Sequence, residues 1–180
     1  MITPKQKERT KAPSAPAPIL NMASLTARLR ECEVDQNRVT EHLKKFDALD
    51  FDVFSNQKWN RLADSHSDDV RVIWPDGHET TGIEPHKKDL AAMFTALPDL
   101  KIRSHPVSFG SGDWTAAIGV MEGTFSKPMP SGTGKTTIKP TNKKVNLRMA
   151  TLAHWRDERI YEEYLFWDNE AFKKQLGLSK

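Results

Sequence analysis

The sequence has a single cysteine, Cys32, so it can form neither an internal disulfide nor a thiolate metal cluster, and it does not require an oxidising compartment. No run of about 18 apolar residues occurs, which excludes a membrane-spanning helix. The six histidines, His42, His66, His78, His86, His105 and His154, never fall at a ligand spacing such as His-Glu-x-x-His, so no metal is indicated. There is no Gly-x-Ser-x-Gly elbow for a serine hydrolase and no dinucleotide-binding glycine fingerprint. Excess charge is also scarce. The net charge of +3 is concentrated in residues 1–30 and 127–144, which argues against a nucleic-acid-binding face.

One stretch imitates a phosphate loop without being one. "SGTGKTT", residues 131–137, ends as such a loop would, but the required earlier glycine is replaced by Met129. A helix should follow, yet Pro140 arrives five residues after Lys135. A solvated loop of Gly, Ser, Thr, Lys and Pro is the expectation over 126–144.

The 180 residues suit one domain. "MITPKQKERTKAPSAPAPIL" is basic and proline-rich without the apolar core of a signal peptide, so a flexible arm is expected over 1–35. The domain is expected over 36–180, and the expected compartment is the cytoplasm. Val39, His42, Leu43, Phe46, Leu49, Val53 and Phe54 recur at spacings of three and four, which predicts a helix over 24–54 with Asp35 as a plausible cap. A short helix follows around Lys58–Leu62. "VRVIWP" reads as a strand, Asp76-Gly77 as a hairpin turn, and "EPHKKDLAAMFTALPDL" as a helix closed by Pro98. Residues 100–112, 113–125, 145–157 and 159–168 read as four long antiparallel strands, and "NEAFKKQLG" as a closing helical turn or two. The fold class is α+β: helices across the concave face of a curved antiparallel sheet, enclosing a cone-shaped cavity.

Strand alternation sorts side chains into sets without saying which set faces inward. On the last strand Ile160, Glu162, Tyr164, Phe166 and Asp168 form one set, and Tyr161, Glu163, Leu165 and Trp167 the other. The turn near 158 places His154 opposite about 162, leaving Asp168 about six residues, or ~20 Å, further along. Pattern alone also allows Asp168 to be a helix cap, and His154 and His105 to be structural. Glu122, an acid in an apolar strand, is a further candidate.

"WPDGHETTGIE", "SGDWTAAIGVMEGTF", "PMP", "KPTNKKVNLRMATLAHWRDERIYEEYLFWDN" and "QLGL" together resemble the SnoaL-like polyketide cyclases, often labelled ester cyclases, of the NTF2-like superfamily. The resemblance covers about 36–178. It implies an aldol ring closure without cofactors, with Asp168 as general acid/base and His154 on the preceding strand. Trp59, Trp74, Met93, Phe94, Tyr164, Phe166 and His105 would contact a small apolar or aromatic carbonyl substrate. His154 or a pocket indole N–H would donate to the developing enolate. A homodimer is expected, with Trp155, Trp167, Met149 and Leu165 on the outer sheet face. The rival readings are a small-molecule binder without turnover, and a dimeric interaction module with a small or plugged cavity.

Overall fold

A computed structural model describes residues 21–130 and 136–178, so most of the phosphate-loop look-alike and the proline-rich start lie outside the described residues. Helix α1 spans Met22–Ala48, and its Asn21 cap accepts a hydrogen bond from Ser24 N at 2.8 Å. The expected cap, Asp35, lies inside the helix and pairs with Arg38 at 2.6 Å. The first turns of α1 cover little core and therefore lack a buried stripe. Their Ala, Leu, Arg and Glu content favours helix nonetheless. The expected arm thus becomes helical at Met22.

At its C-terminal end α1 widens into a π-helical turn, Leu49–Phe54, marked by Ser55 N donating to Asp50 O at 3.2 Å. In this wider turn the adjacent residues Leu49 and Asp50 are both buried, as are Val53 and Phe54. A 3₁₀ turn, Trp59–Asp64, follows. Strand β1, His66–Ile73, and β2, Glu79–Thr81, make the expected hairpin, with Gly77 at φ 88° in its turn. Helix α2 spans Ile83–Ala96.

The expected strand over 100–112 is two strands, β3 (Lys101–Ile102) and β4 (Val107–Ser111). Between them, Pro106 has no N–H to give a ladder. Both pair with β5, Trp114–Thr124, β4 along its first half and β3 along its second. A small ribbon of β6 (Met129–Pro130) and β7 (Thr137–Ile138) precedes β8, Lys144–Arg156, and β9, Arg159–Trp167. Helix α3, Asn169–Leu176, closes the chain with Gly177 at φ 74° as its stop.

The main sheet runs β2-β1-β9-β8-β5-β3, with β4 also on β5. One pairing, β1 with β9, is parallel, a departure from the expected all-antiparallel meander. His154 pairs with Glu162, as the turn arithmetic gives, but Trp155 then pairs with Ile160. This bulge puts Ile160 and Glu163 on the same, inner, side, where both are buried. The inner set also holds Leu147, Met149, Thr151 and Trp155 of β8, and Leu165 and Trp167 of β9. Trp155, Met149 and Leu165 are buried and Trp167 is partly buried against the core, which corrects their expected outer placement. The outer face carries Trp114, Leu152, Tyr164 and Phe166 instead. Among the described residues no helix is long and apolar enough to cross a membrane.

Candidate active site

Between the sheet and the helices lies a cavity of about 40 Å³. Most of its wall is apolar, yet four ionisable side chains line it: Asp50, His66, His86 and Glu163. Each comes from a different element: the π-helical turn, the start of β1, the first turn of α2 and the residue beyond the β9 bulge. All four are buried. Burying such groups is expensive unless they are paired, so their collection in one place is a functional signal.

Two clusters can be distinguished. In the first, His105 bridges two aspartates: Nδ1 stands 2.7 Å from Asp47 Oδ1 and Nε2 2.8 Å from Asp50 Oδ2. The His105 side chain is 3% exposed, Asp50 12% and Asp47 51%, so the three cross the wall from cavity to solvent. Burial pushes the Asp50 carboxyl above its ordinary range, with the His105 hydrogen bond opposing. Burial would lower His105, but the Asp50 and Asp47 carboxylates outweigh it and raise its pKa. One proton is therefore held strongly within the Asp50–His105 pair.

In the second cluster, His66 Nε2 and His86 Nε2 each lie 3.7 Å from Glu163 Oε2. Burial beside His66 lowers His86 to about 4, so its ring is neutral near pH 7. Burial pushes the Glu163 carboxyl up, yet His66 and His86 outweigh this and hold it below its usual value.

The residues singled out from sequence are distributed unevenly around this site. Asp168 is exposed and caps α3, accepting from Glu170 N and Ala171 N at 2.9 Å each. His154 lies on the outer sheet face, stacked on Trp114 at 4.1 Å and hydrogen-bonded to the Tyr161 hydroxyl at 2.6 Å. The expectation that these two look into the cavity is corrected: His154 pairs with Glu162 on the outer face, and Asp168 follows the end of β9 as the cap of α3. Tyr164 and Phe166 lie outside as well. Trp74 and Met93 line the cavity. Phe94 packs edge-on against Phe54 and Trp59, so Phe94 and Trp59 stand behind the wall rather than in it. His105 reaches the cavity only through Asp50. The half-buried Glu122 sits near the sheet edge, where it accepts from Asn146 Nδ2 at 2.8 Å and pairs with Arg103 at 3.4 Å.

Three indole donors are already engaged. Trp74 Nε1 donates to Thr80 Oγ1, Trp155 Nε1 to Thr115 Oγ1 and Trp167 Nε1 to Asn169 Oδ1. The buried Thr151 is a hydroxyl residue that lines the cavity. Sequence pattern did carry a signal for the interior acids. Glu163 shares its set with Leu165 and Trp167, and Asp50 falls beside Leu49 in a buried helical stripe.

The family model for SnoaL-like polyketide cyclases matches residues 33–176. Among solved structures, a protein of Jannaschia sp. CCS1 ascribed to the SnoaL-like polyketide cyclases is 19% identical, with a TM-score of 0.68 over 79% of this chain and 95% of that one. Wild-type IdmH from Streptomyces antibioticus is 21% identical, with a TM-score of 0.64 over 76% of this chain and 98% of that one. A protein from Catenulispora acidiphila DSM 44928 with a ketosteroid isomerase-like fold is 18% identical, with a TM-score of 0.61 over 78% and 95%. At these identities the structural likeness is one of fold. No match was found among curated proteins.

Proposed function

Because the chain belongs to the SnoaL-like polyketide cyclase family, we propose that it carries out cyclase-type acid/base chemistry with Asp50 as the proton-transferring carboxylate. The reaction class is aldol cyclisation, isomerisation or dehydration, and the substrate a small apolar carbonyl compound. The observation that carries this reading is Asp50 itself: a buried acid with a raised pKa, on the cavity, backed by an imidazole that reaches a solvated aspartate.

A proton on carbon beside a carbonyl is acidic enough for one such base. Asp50 takes the proton, and the relay through His105 to Asp47 returns it to or from water. A raised carboxyl pKa makes the group both a better base and a usable acid near neutral pH, help worth ~10²–10⁴ in rate. The Thr151 hydroxyl would donate to the enolate oxygen in place of an indole. Trp74 and Met93 would contact the substrate, while Phe94 and Trp59 shape the wall behind them. A ligand of ordinary size needs about 300–1,000 Å³. Catalysis therefore requires the wall to open beyond the cavity of about 40 Å³.

That small volume favours one rival, a dimeric interaction module. So does the outer sheet face, where Trp114, Leu152 and Phe166 are 38%, 37% and 50% exposed. The two readings share the proposal of a homodimer through this face.

Proton–deuterium exchange at the acidic carbon of a panel of 1,3-dicarbonyl compounds, followed by NMR, tests the catalytic reading. The wild type should exchange at least one compound faster than buffer, and Asp50→Asn should slow this by about 100-fold or more. No exchange with any compound, or full exchange by Asp50→Asn, would sink it.

A further inference from the structure

His66, His86 and Glu163 lie far apart in sequence, and the fold alone brings them together. Their ligand-type atoms lie within 4.8 Å of one another in the buried end of the cavity. Ser65 Oγ has one hydrogen, donated to Leu62 O at 3.2 Å. In the tautomer that this allows, the ring Nδ1–H donates to Ser65 Oγ across their 3.0 Å contact. The other nitrogen, Nε2, then holds a lone pair. It is buried, without a hydrogen-bond partner among the described residues, and aimed at Glu163 Oε2 from 3.7 Å. His86 Nε2 faces the same oxygen from the same distance.

In that tautomer the His66 Nε2 lone pair facing the Glu163 carboxylate calls for something positive between them. A proton on Nε2 would draw the oxygen in to about 2.7–2.9 Å, as charge-assisted hydrogen bonds do. An ion at bonds of about 2.0–2.1 Å in tetrahedral geometry instead holds its ligands about 3.4 Å apart. The observed 3.7 Å separations lie close to the second value and well outside the first. An acceptor on the far ring nitrogen, the place taken here by Ser65 Oγ, is also how metal-ligating histidines are oriented.

We propose that His66 Nε2, His86 Nε2 and Glu163 Oε2 bind one divalent transition-metal ion of the zinc or ferrous class. Two imidazoles and one carboxylate suit such ions and disfavour magnesium and calcium. Closing the site shortens the two histidine–glutamate separations by a few tenths of an ångström and brings the two ring nitrogens, which lie within 4.8 Å of each other, to a similar spacing. The remaining coordination positions face the cavity, which has room for a water molecule or a carbonyl oxygen. The inference goes beyond the acid/base reading and stands without it, since it uses neither Asp50 nor His105.

The test is titration of the full-length, chelator-stripped protein with Zn²⁺ alone and Co²⁺ alone, by calorimetry and visible absorption at neutral pH. The expected result is one equivalent bound with micromolar or tighter Kd, the d–d bands of a low-coordinate cobalt site, and no binding of Mg²⁺. Glu163→Gln preserves side-chain volume and should weaken Zn²⁺ binding by about 100-fold or more. His78→Gln, which removes the exposed Asp76–His78 pair, should change nothing. Absence of a bound equivalent in the wild type, or undiminished binding by Glu163→Gln, overturns the proposal. Should Glu163→Gln fail to fold, the wild type still decides: Tm must rise with Zn²⁺ and the cobalt bands must appear, and failure of either overturns the site. The exchange assay on dicarbonyl compounds is independent of all these readouts.

Discussion

Replacing Asp168 separates a helix cap from a catalytic carboxylate. Its Oδ1 accepts from two backbone N–H groups at the start of α3, at 2.9 Å each, and the residue is exposed. Removing such a cap costs about 0.5–2 kcal/mol, typically about 1. α3 is only eight residues long and is otherwise held by buried Leu176, by Ala171 and Phe172 packed on the core, and by polar contacts such as Gln175 Oε1 accepting from Asn146 N at 2.7 Å. Asp168→Ala should therefore lower stability by about 1 kcal/mol, a Tm decrease of about 2–4 °C for a chain of this size. Asp168→Asn keeps the acceptor and loses only the interaction of the negative charge with the helix N-terminus, about 0.3–1 kcal/mol. Urea titrations followed by tryptophan fluorescence should rank the wild type above Asn, and Asn above Ala. Carbon-acid exchange measured on the same samples should be unchanged in both variants. If Asp168→Asn keeps the wild-type midpoint but loses about 100-fold or more of the exchange, Asp168 performs the chemistry and the assignment to Asp50 is wrong.

His105 faces the carboxylates of Asp50 and Asp47 and the rings of Phe46 and Phe51, and its folded pKa is raised above 6.5. The folded state thus keeps a proton that the unfolded chain has released. The stability this gives is full below about pH 6.5 and is lost as pH rises through the folded value. Wild-type stability measured against pH should decline over that window, and His105→Gln should remove the decline; an unchanged slope in the variant refutes the pairing. Phe166→Glu places a charge on the outer face that also carries exposed Leu152, and should convert a dimer into a folded monomer in sedimentation at micromolar concentration. A wild type that already sediments as a monomer refutes the proposed interface.

Much of the fold could be read from local pattern. β5, β8 and β9 lie within a residue or so of the expected strands, and His154 pairs with Glu162 because a tight turn makes paired residue numbers sum to a constant. The helix expected from 24 starts at Met22, although its first apolar residues, Met22, Leu25 and Leu29, are exposed and the buried stripe begins only further along. Pro106 marks the break between β3 and β4.

The candidate site was far less legible. Glu163, His66, His86 and Asp50 belong to four elements, and no motif spans them. Asp168 stands out through family resemblance alone, while the acids inside stand in plain apolar settings.

The sequence by itself determined the element types, the turns and the two alternating sets on each strand, because these follow from contacts a few residues apart. Which set became the interior was decided when α1, its π-helical end and α2 settled on one side of the sheet. A single bulge at Tyr161 then brought Glu163 inward beside Ile160. Strand alternation has period two and no preferred sign, so only the covering helices could supply one.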